Sequence, residues 1–136
     1  GMTTAAGDLY PATLDLHCGP VTAVDLALFA AGSGDHNPLH LDESVASAAG
    51  FEQPLIHGML TMAHVGRLFT SHFGAGSVAD LDTRFTGVAM RGQRLTLQAQ
   101  LERLEDGEAL YRITAQHDGG TPVVQGQARV RWPAKG

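Results

Sequence analysis

The chain of 136 residues contains one cysteine, few aromatic residues and no long apolar run. A single cysteine, Cys18, excludes an internal disulfide and fits a cytoplasmic protein. No apolar run approaches the roughly 20 residues that a membrane-spanning helix needs. Positive charge is also scarce, with nine Lys and Arg against fourteen Asp and Glu and a formal net charge of -5. The charge balance argues against a nucleic-acid or anionic-membrane partner, because both bind basic surfaces.

The length predicts a single domain. Gly1 before Met2 resembles an expression remnant, and the residues that follow are small and polar. We therefore expect residues 1–10 to be a tag remnant and flexible N-terminus, and residues 11–136 to form the domain.

Three segments of the first half have helical patterns. "VTAVDLALFAAGSG" has apolar residues at helical spacing, Thr22 and Asp25 resemble a capping box, and Gly34 supplies a stop. "DESVASAAG" predicts a short helix that begins after Asp42. "HGMLTMAHVGRLFTSHFG" is the longest helical segment and is apolar on most sides, which predicts a buried helix.

Strand patterns fill the second half and also precede the first helix. "ATLDLHCG" and "SVADLDTRFTGVAM" are strand-like, "RLTLQAQLERL" alternates strictly, and "EALYRITAQH" and "TPVVQGQARVRW" follow it. Asp-Gly turns between alternating runs predict an antiparallel meander with one dry face. We expect an α+β fold in which the sheet curls around the long helix, with a dimer formed through an edge strand.

The stretch "SGDHNPLHLD", residues 33–42, concentrates titratable and amide side chains where the first helix ends. Its composition is also that of an ordinary turn, in which Asp35 caps the backbone and His40 lies in solvent. A metal site is a second interpretation, but Pro38 breaks the helical face that a pair of histidines four residues apart would need. Acid–base catalysis is a third, because a loop at Gly34 and Pro38 can bring Asp35 and His40 together. Spacing alone permits each of these interpretations.

The motif "SGDHNPLH" followed by "HGMLTM" resembles the MaoC-like dehydratases, or (R)-specific enoyl thioester hydratases. The family pattern runs S-G-D-x-N-P, an aliphatic residue and His, with an H-G-M or H-G-L helix start about 17 residues later. The continuous match covers roughly residues 30–60. The resemblance implies a single hot-dog domain, with a long central helix wrapped by a curved antiparallel sheet, paired as a dimer.

The resemblance also implies a reaction, namely reversible addition of water to a trans-2-enoyl thioester to give an (R)-3-hydroxyacyl thioester. Coenzyme A or acyl carrier protein would carry the acyl chain, and no metal or other cofactor is expected. Asp35 and His40 would hold one water molecule, and Asn37 would orient this pair. The backbone N–H of Gly58, at the positive end of a helix, would stabilise the enolate oxygen.

Three further residues are expected near the substrate. His57 is interpreted mainly as a loop hydrogen-bonding residue, and Met59 is a core residue by default that also suits an acyl tunnel. Gly66 stands where some family members place a small polar residue, so it leaves room for the acyl chain instead. Cys18 is expected to be a structural thiol, and Arg67, Arg84, Arg91 and Arg94 are candidates for phosphate contacts or solvated surface residues.

Two other functions stay open at this point. A thioesterase is one, because hot-dog proteins also hydrolyse acyl thioesters, although such an enzyme would lack the set of Asp35, Asn37 and His40. The other is an acyl-binding or heterodimer subunit without independent activity. The intact residue set favours the hydratase.

Overall fold

In a computed structural model of the protein, residues 9–118 and 120–132 are described. The strands are β1 (Thr13–Cys18), β2 (Val78–Phe85), β3 (Leu95–Glu105), β4 (Glu108–His117) and β5 (Pro122–Val130). The helices are α1 (Ala23–Ser33), α2 (Glu43–Ala48) and α3 (Gly58–Phe73), with a 3₁₀ turn at Pro38–His40. All strand pairings are antiparallel, in the order β1-β3-β4-β5-β2. The predicted α+β class is therefore confirmed.

The ends of α1 follow directly from local sequence. The Thr22 hydroxyl accepts a hydrogen bond from Asp25 N–H at 3.2 Å, and the Asp25 carboxylate accepts one from Thr22 N–H at 2.9 Å. This reciprocal pair is a capping box, which satisfies two backbone N–H groups at the start of the helix. Gly34 ends the helix with φ at 81°, a left-handed conformation that residues with a Cβ avoid. The chain therefore leaves α1 at the motif singled out above.

The first half of strand β3 has the predicted alternation. Leu95, Leu97 and Ala99 of β3 are buried, and the residues between them face outward. The β3–β4 hairpin turns at Asp106 and Gly107, whose φ values of 51° and 78° fit the tight turn that the Asp-Gly pair predicts. A register shift after Leu101 ends the strict pattern.

The core lies between the inner face of the sheet and one side of α3. Phe69 of α3 is fully buried and meets Tyr111 of β4 edge to face, with ring centroids 5.7 Å apart. Burying a phenylalanine contributes about 1.5–3 kcal/mol. The opposite side of α3 is open, since Ala63, Arg67 and Thr70 are exposed. The expectation that α3 is buried on most sides was thus wrong for a single chain, because five strands cover only one side of the helix.

The predicted flexible N-terminus lies largely outside the described residues, which begin at Leu9. Tyr10 was assigned to that segment, but its ring is buried and packs against Phe73 at 5.7 Å between centroids. Its hydroxyl donates to the Trp132 carbonyl and accepts from the Trp132 N–H. The expectation was therefore wrong for Tyr10, because hydrogen bonds to the far end of the chain hold it in the core. No described helix has the length and apolar character needed to cross a membrane.

Candidate active site

The loop after α1 is built from three consecutive side-chain-to-backbone hydrogen bonds. The Ser33 hydroxyl accepts from Asp35 N–H at 3.2 Å, and the Asp35 carboxylate accepts from Asn37 N–H at 3.3 Å. The Asn37 side-chain oxygen then accepts from Leu39 N–H at 3.0 Å and caps the 3₁₀ turn. Short polar side chains favour such turns, as composition predicted. Asn37 thereby orients the backbone that carries His40.

The turn brings Asp35 and His40 together, so it is more than an ordinary loop. His40 Nε2 lies 3.7 Å from Asp35 Oδ2, and the His40 side chain is only 14% exposed. The expectation under the turn interpretation that His40 lies in solvent was therefore wrong. The Asp35 side chain is half exposed, at 51%. The separation is too long for a direct hydrogen bond and suits one bridging water molecule.

The hydrogen bonding of His40 determines which ring nitrogen can accept a proton. Its Nδ1 lies 2.9 Å from the carbonyl oxygen of Leu55. A carbonyl oxygen only accepts hydrogen bonds, so Nδ1 carries the hydrogen. In the neutral ring the lone pair is then on Nε2, which faces Asp35. His40 Nε2 and Asp35 Oδ2 are thus two hydrogen-bond acceptors that face the same small space.

His57 supports both members of this pair. Its ring stacks on the His40 ring, with centroids 3.9 Å apart and planes inclined by 21°. Its Nε2 lies 3.0 Å from the backbone carbonyl oxygen of Asp35, to which it donates. The side chain is 1% exposed. His57 therefore makes the loop hydrogen bond that the sequence favoured, and it also limits the movement of the His40 ring.

The same three residues form a group of potential metal ligands among the described residues. The donor atoms of Asp35, His40 and His57 lie within 4.8 Å of one another. Imidazole binds a metal through a lone pair in the plane of its ring. Lone pairs in two nearly parallel, stacked rings do not converge on one ion, and each ring already uses one nitrogen on a carbonyl oxygen. The arrangement fits proton transfer better than metal binding.

Gly58 is the first residue of α3, where backbone N–H groups have no partner within the helix. A cavity of about 180 Å³ lies beside it. Thr61 and Gly58 form part of its wall. Most of the wall consists of aliphatic and aromatic side chains, namely Leu55, Ile56, Phe85, Val88, Ala89 and Val123. The Phe85 ring lies against Gly58, since a Cβ added there would be 3.1 Å from Phe85 Cζ. Because glycine has no side chain, a hydrogen-bond acceptor can come close to the Gly58 N–H.

Gly66, another predicted site residue, also belongs to α3. Gly66 lies eight residues along α3, about 12 Å from Gly58 at 1.5 Å per residue. A Cβ at Gly66 would meet no atom within 4 Å, so there is open space beside it. The side chain of Met59 lies outside the described part of the structure. Cys18 is buried and burial raises the pKa of its thiol, as suits a structural cysteine. Burial and the neighbouring Arg67 guanidinium lower the pKa of His64.

Several contributors to the site were missed by sequence reasoning. Leu55 acts through its backbone carbonyl, which no side-chain pattern reveals. Phe85 and Val88 line the cavity from a segment far along the chain. Phe85 faces inward on a predicted strand, and that alternation is the signal that would have selected it. A larger depression of about 610 Å³ lies on the glutamine-rich outer face of the sheet; it includes Arg84, a candidate for a phosphate contact, but neither Asp35 nor His40. A polar outer face of this kind is normal in an antiparallel sheet.

Comparison with known proteins adds independent evidence. The family model described as "MaoC like domain" matches residues 13–119. The (R)-specific enoyl-CoA hydratase of Aeromonas caviae is 32% identical over 115 residues, which are 82% of this chain and 86% of that protein. The peroxisomal multifunctional enzyme type 2 of Mus musculus is 34% identical over 107 residues. The match covers 76% of this chain but 14% of the mouse enzyme, so the chain spans only a small part of that relative.

A solved structure has the same architecture. An (R)-hydratase from A. caviae superposes with a TM-score of 0.78 at 30% sequence identity. The superposition covers 89% of this chain and 94% of that chain. The predicted hot-dog fold is therefore confirmed.

Proposed function

Because the chain belongs to the MaoC-like domain family, we propose that it is a hydro-lyase that reversibly hydrates trans-2-enoyl thioesters to (R)-3-hydroxyacyl thioesters. The acyl group is carried on coenzyme A or acyl carrier protein. The observation that carries the proposal is the pair of acceptors, His40 Nε2 and Asp35 Oδ2, separated by 3.7 Å. A single cysteine supports a cytoplasmic setting for the reaction.

The two acceptors define the position of the attacking water. A water molecule has two O–H donors, and here one would bond to Nε2 and the other to Oδ2. Its oxygen lone pair is then free to attack C3 of the enoyl group. As the C–O bond forms, the dyad takes one proton from the water and passes it to C2, while the second hydrogen of the water stays on the new hydroxyl group. The net change is the addition of one water and transfers no electrons, so the reaction requires no redox cofactor.

Gly58 is proposed to stabilise the charge that develops on the thioester oxygen. Attack at C3 moves negative charge to that oxygen as an enolate. The N–H groups at the start of α3 and the positive end of the helix dipole favour such a charge. The apolar cavity beside Gly58 keeps water from the donor and strengthens the interaction.

The proposed reaction can be separated from its rivals in one assay with crotonyl-coenzyme A and purified protein. We expect the enoyl absorbance to fall without release of free thiol, and the product to be the (R)-3-hydroxybutyryl thioester. Release of free thiol would identify a thioesterase. No change with crotonyl and longer enoyl thioesters would favour a binding or heterodimer subunit.

A homodimer is proposed as the working form. Large apolar side chains are exposed on β2, an edge strand of the sheet, where Leu81 is 37% and Phe85 54% exposed. Both residues share the inner face of the sheet with buried partners on β5. An edge strand with exposed apolar residues is a surface for pairing with a second chain. A second copy placed there would also lie close to the open side of α3.

Light scattering at micromolar concentration is therefore expected to give twice the chain mass of 14.3 kDa. Leu81→Glu places a charge in the proposed interface and should shift the mass towards that of one chain. Thr13→Glu, on the opposite edge strand β1, is the matched control and should leave the dimer intact. A single 14.3 kDa species for the unchanged protein would reject the homodimer.

A further inference from the structure

The backbone of Leu55 holds the catalytic loop on one side. Its N–H donates to the Leu39 carbonyl at 2.8 Å, and its carbonyl oxygen accepts from His40 Nδ1 at 2.9 Å. Both backbone groups of this one residue therefore contact the turn that carries His40. The position of Leu55 determines whether Nδ1 keeps its hydrogen-bond partner.

The residues on either side of Leu55 are hydrogen-bonded to the loop before β3. Ile56 N–H donates to the Ala89 carbonyl and Arg91 N–H donates to the Pro54 carbonyl, both at 2.8 Å. Leu55 and Met90 form an isolated antiparallel bridge. Residues 54–56 thus lie between the His40 turn and residues 89–91.

The side chain of Arg91 connects the start of α2, at Glu43, with Gln53, which lies close to Leu55 in the chain. Its Nη2 donates to a carboxylate oxygen of Glu43 and, at 2.9 Å, to Gln53 Oε1. Glu43 begins α2, three residues after His40, and Gln53 precedes Leu55 by two residues. The Arg91 side chain is only 18% exposed, whereas Glu43 is 69% exposed.

We propose that Arg91 is a positioning residue for the hydratase reaction. It holds the start of α2 against residues 53–55, which keeps the Leu55 carbonyl on His40 Nδ1 and directs His40 Nε2 towards Asp35. This inference rests on the proposed function for its kinetic test and on the geometry alone for its structural test.

The chemistry of arginine supports this role over that of a simple surface charge. A planar guanidinium can bond two acceptors in fixed directions, which a lysine ammonium does not reproduce with the same geometry. Ion pairs with solvent-exposed partners contribute little to stability, and Glu43 is largely exposed, so this pair alone does not explain why Arg91 is covered. The bonds to Glu43 and Gln53 use both hydrogens of Nη2, so a coenzyme phosphate would have to bond to the remaining N–H groups of this arginine.

The kinetic test compares Arg91→Ala and Arg91→Lys with the unchanged protein on two thioesters. One is crotonyl-coenzyme A, and the other is crotonyl-N-acetylcysteamine, which has no phosphate. We expect Arg91→Ala to lower kcat by at least about tenfold on both, with KM changed less than about twofold, because small misplacements of catalytic groups cost that much or more. Arg91→Lys should recover only part of the loss. Arg103→Ala removes an exposed arginine that pairs with Glu105 on the β3–β4 hairpin, and it should leave kcat unchanged.

The structural test measures the His40 ring by ¹⁵N-detected NMR. In the unchanged protein the neutral ring should carry its hydrogen on Nδ1, and in Arg91→Ala this tautomer should lose population. The NMR result stands even if the unchanged protein proves inactive on enoyl thioesters, so failure of the proposed function is distinguishable from failure of this inference. Normal kcat in a folded Arg91→Ala variant would overturn the inference. A rise of KM confined to the coenzyme A substrate would also overturn it, as would an unchanged His40 tautomer.

Discussion

Asp35→Asn and His40→Gln are each expected to lower kcat by about 10²–10⁴-fold, the usual contribution of a positioned acid or base. Asn keeps the shape of Asp35 and an acceptor for Asn37 N–H, but it cannot take a proton. Gln keeps a hydrogen-bonding group in place of His40 but does not change charge near neutral pH. The double variant should lose little more than either single variant, since both groups are proposed to act on the same water and such effects are not additive.

Measuring kcat and the melting temperature for the two single variants and the double variant decides whether the pair is catalytic. His36→Gln is the matched control, because His36 lies in the same loop and is exposed. It should keep full activity. Near-normal kcat in either single variant with the fold intact would contradict the dyad. Early melting with a fully active folded fraction would mean that the two residues are structural.

Gly58→Pro should lower kcat by about 10²–10³-fold, because proline has no N–H to offer the enolate oxygen. The substitution suits the backbone at this position. Proline is favoured as the first residue of a helix, and the preceding His57 has φ −57° and ψ 134°, as residues before proline prefer. A loss of activity should therefore not come from a broken helix.

Gly58→Ala is the matched control for the added carbon atoms. Its Cβ would lie 3.1 Å from Phe85 Cζ, so the ring must move by a few tenths of an ångström. The contact is with the tip of the Phe85 ring, the far end of a side chain, where a small rotation is enough to relieve it. Alanine keeps the N–H and should retain most of kcat. Equal losses in both variants would point to crowding by Phe85, and full activity in a folded Gly58→Pro variant would reject the oxyanion role.

Much of the fold was determined by signals between residues a few positions apart. The Thr22 and Asp25 capping box, the Asp106–Gly107 turn and the alternation along β3 each depend on neighbours in the chain, so they could be read directly. The chemistry of the loop could also be read directly, because it depends on the types and order of Asp35, Asn37 and His40, which are close together in the sequence. These residues indicated the family and the reaction before any contact was known.

The tertiary structure alone decided how that loop is held. The Nδ1 hydrogen of His40 depends on a backbone carbonyl fifteen residues away, and the stacked ring of His57 lies seventeen positions from it. Arg91 reaches Glu43 across forty-eight positions. Backbone carbonyls have no residue-specific signature, and contacts between distant residues form only when the sheet brings them together. The sequence therefore determined which groups are present, while packing determined the distances and hydrogen positions on which the proposed shared water molecule depends.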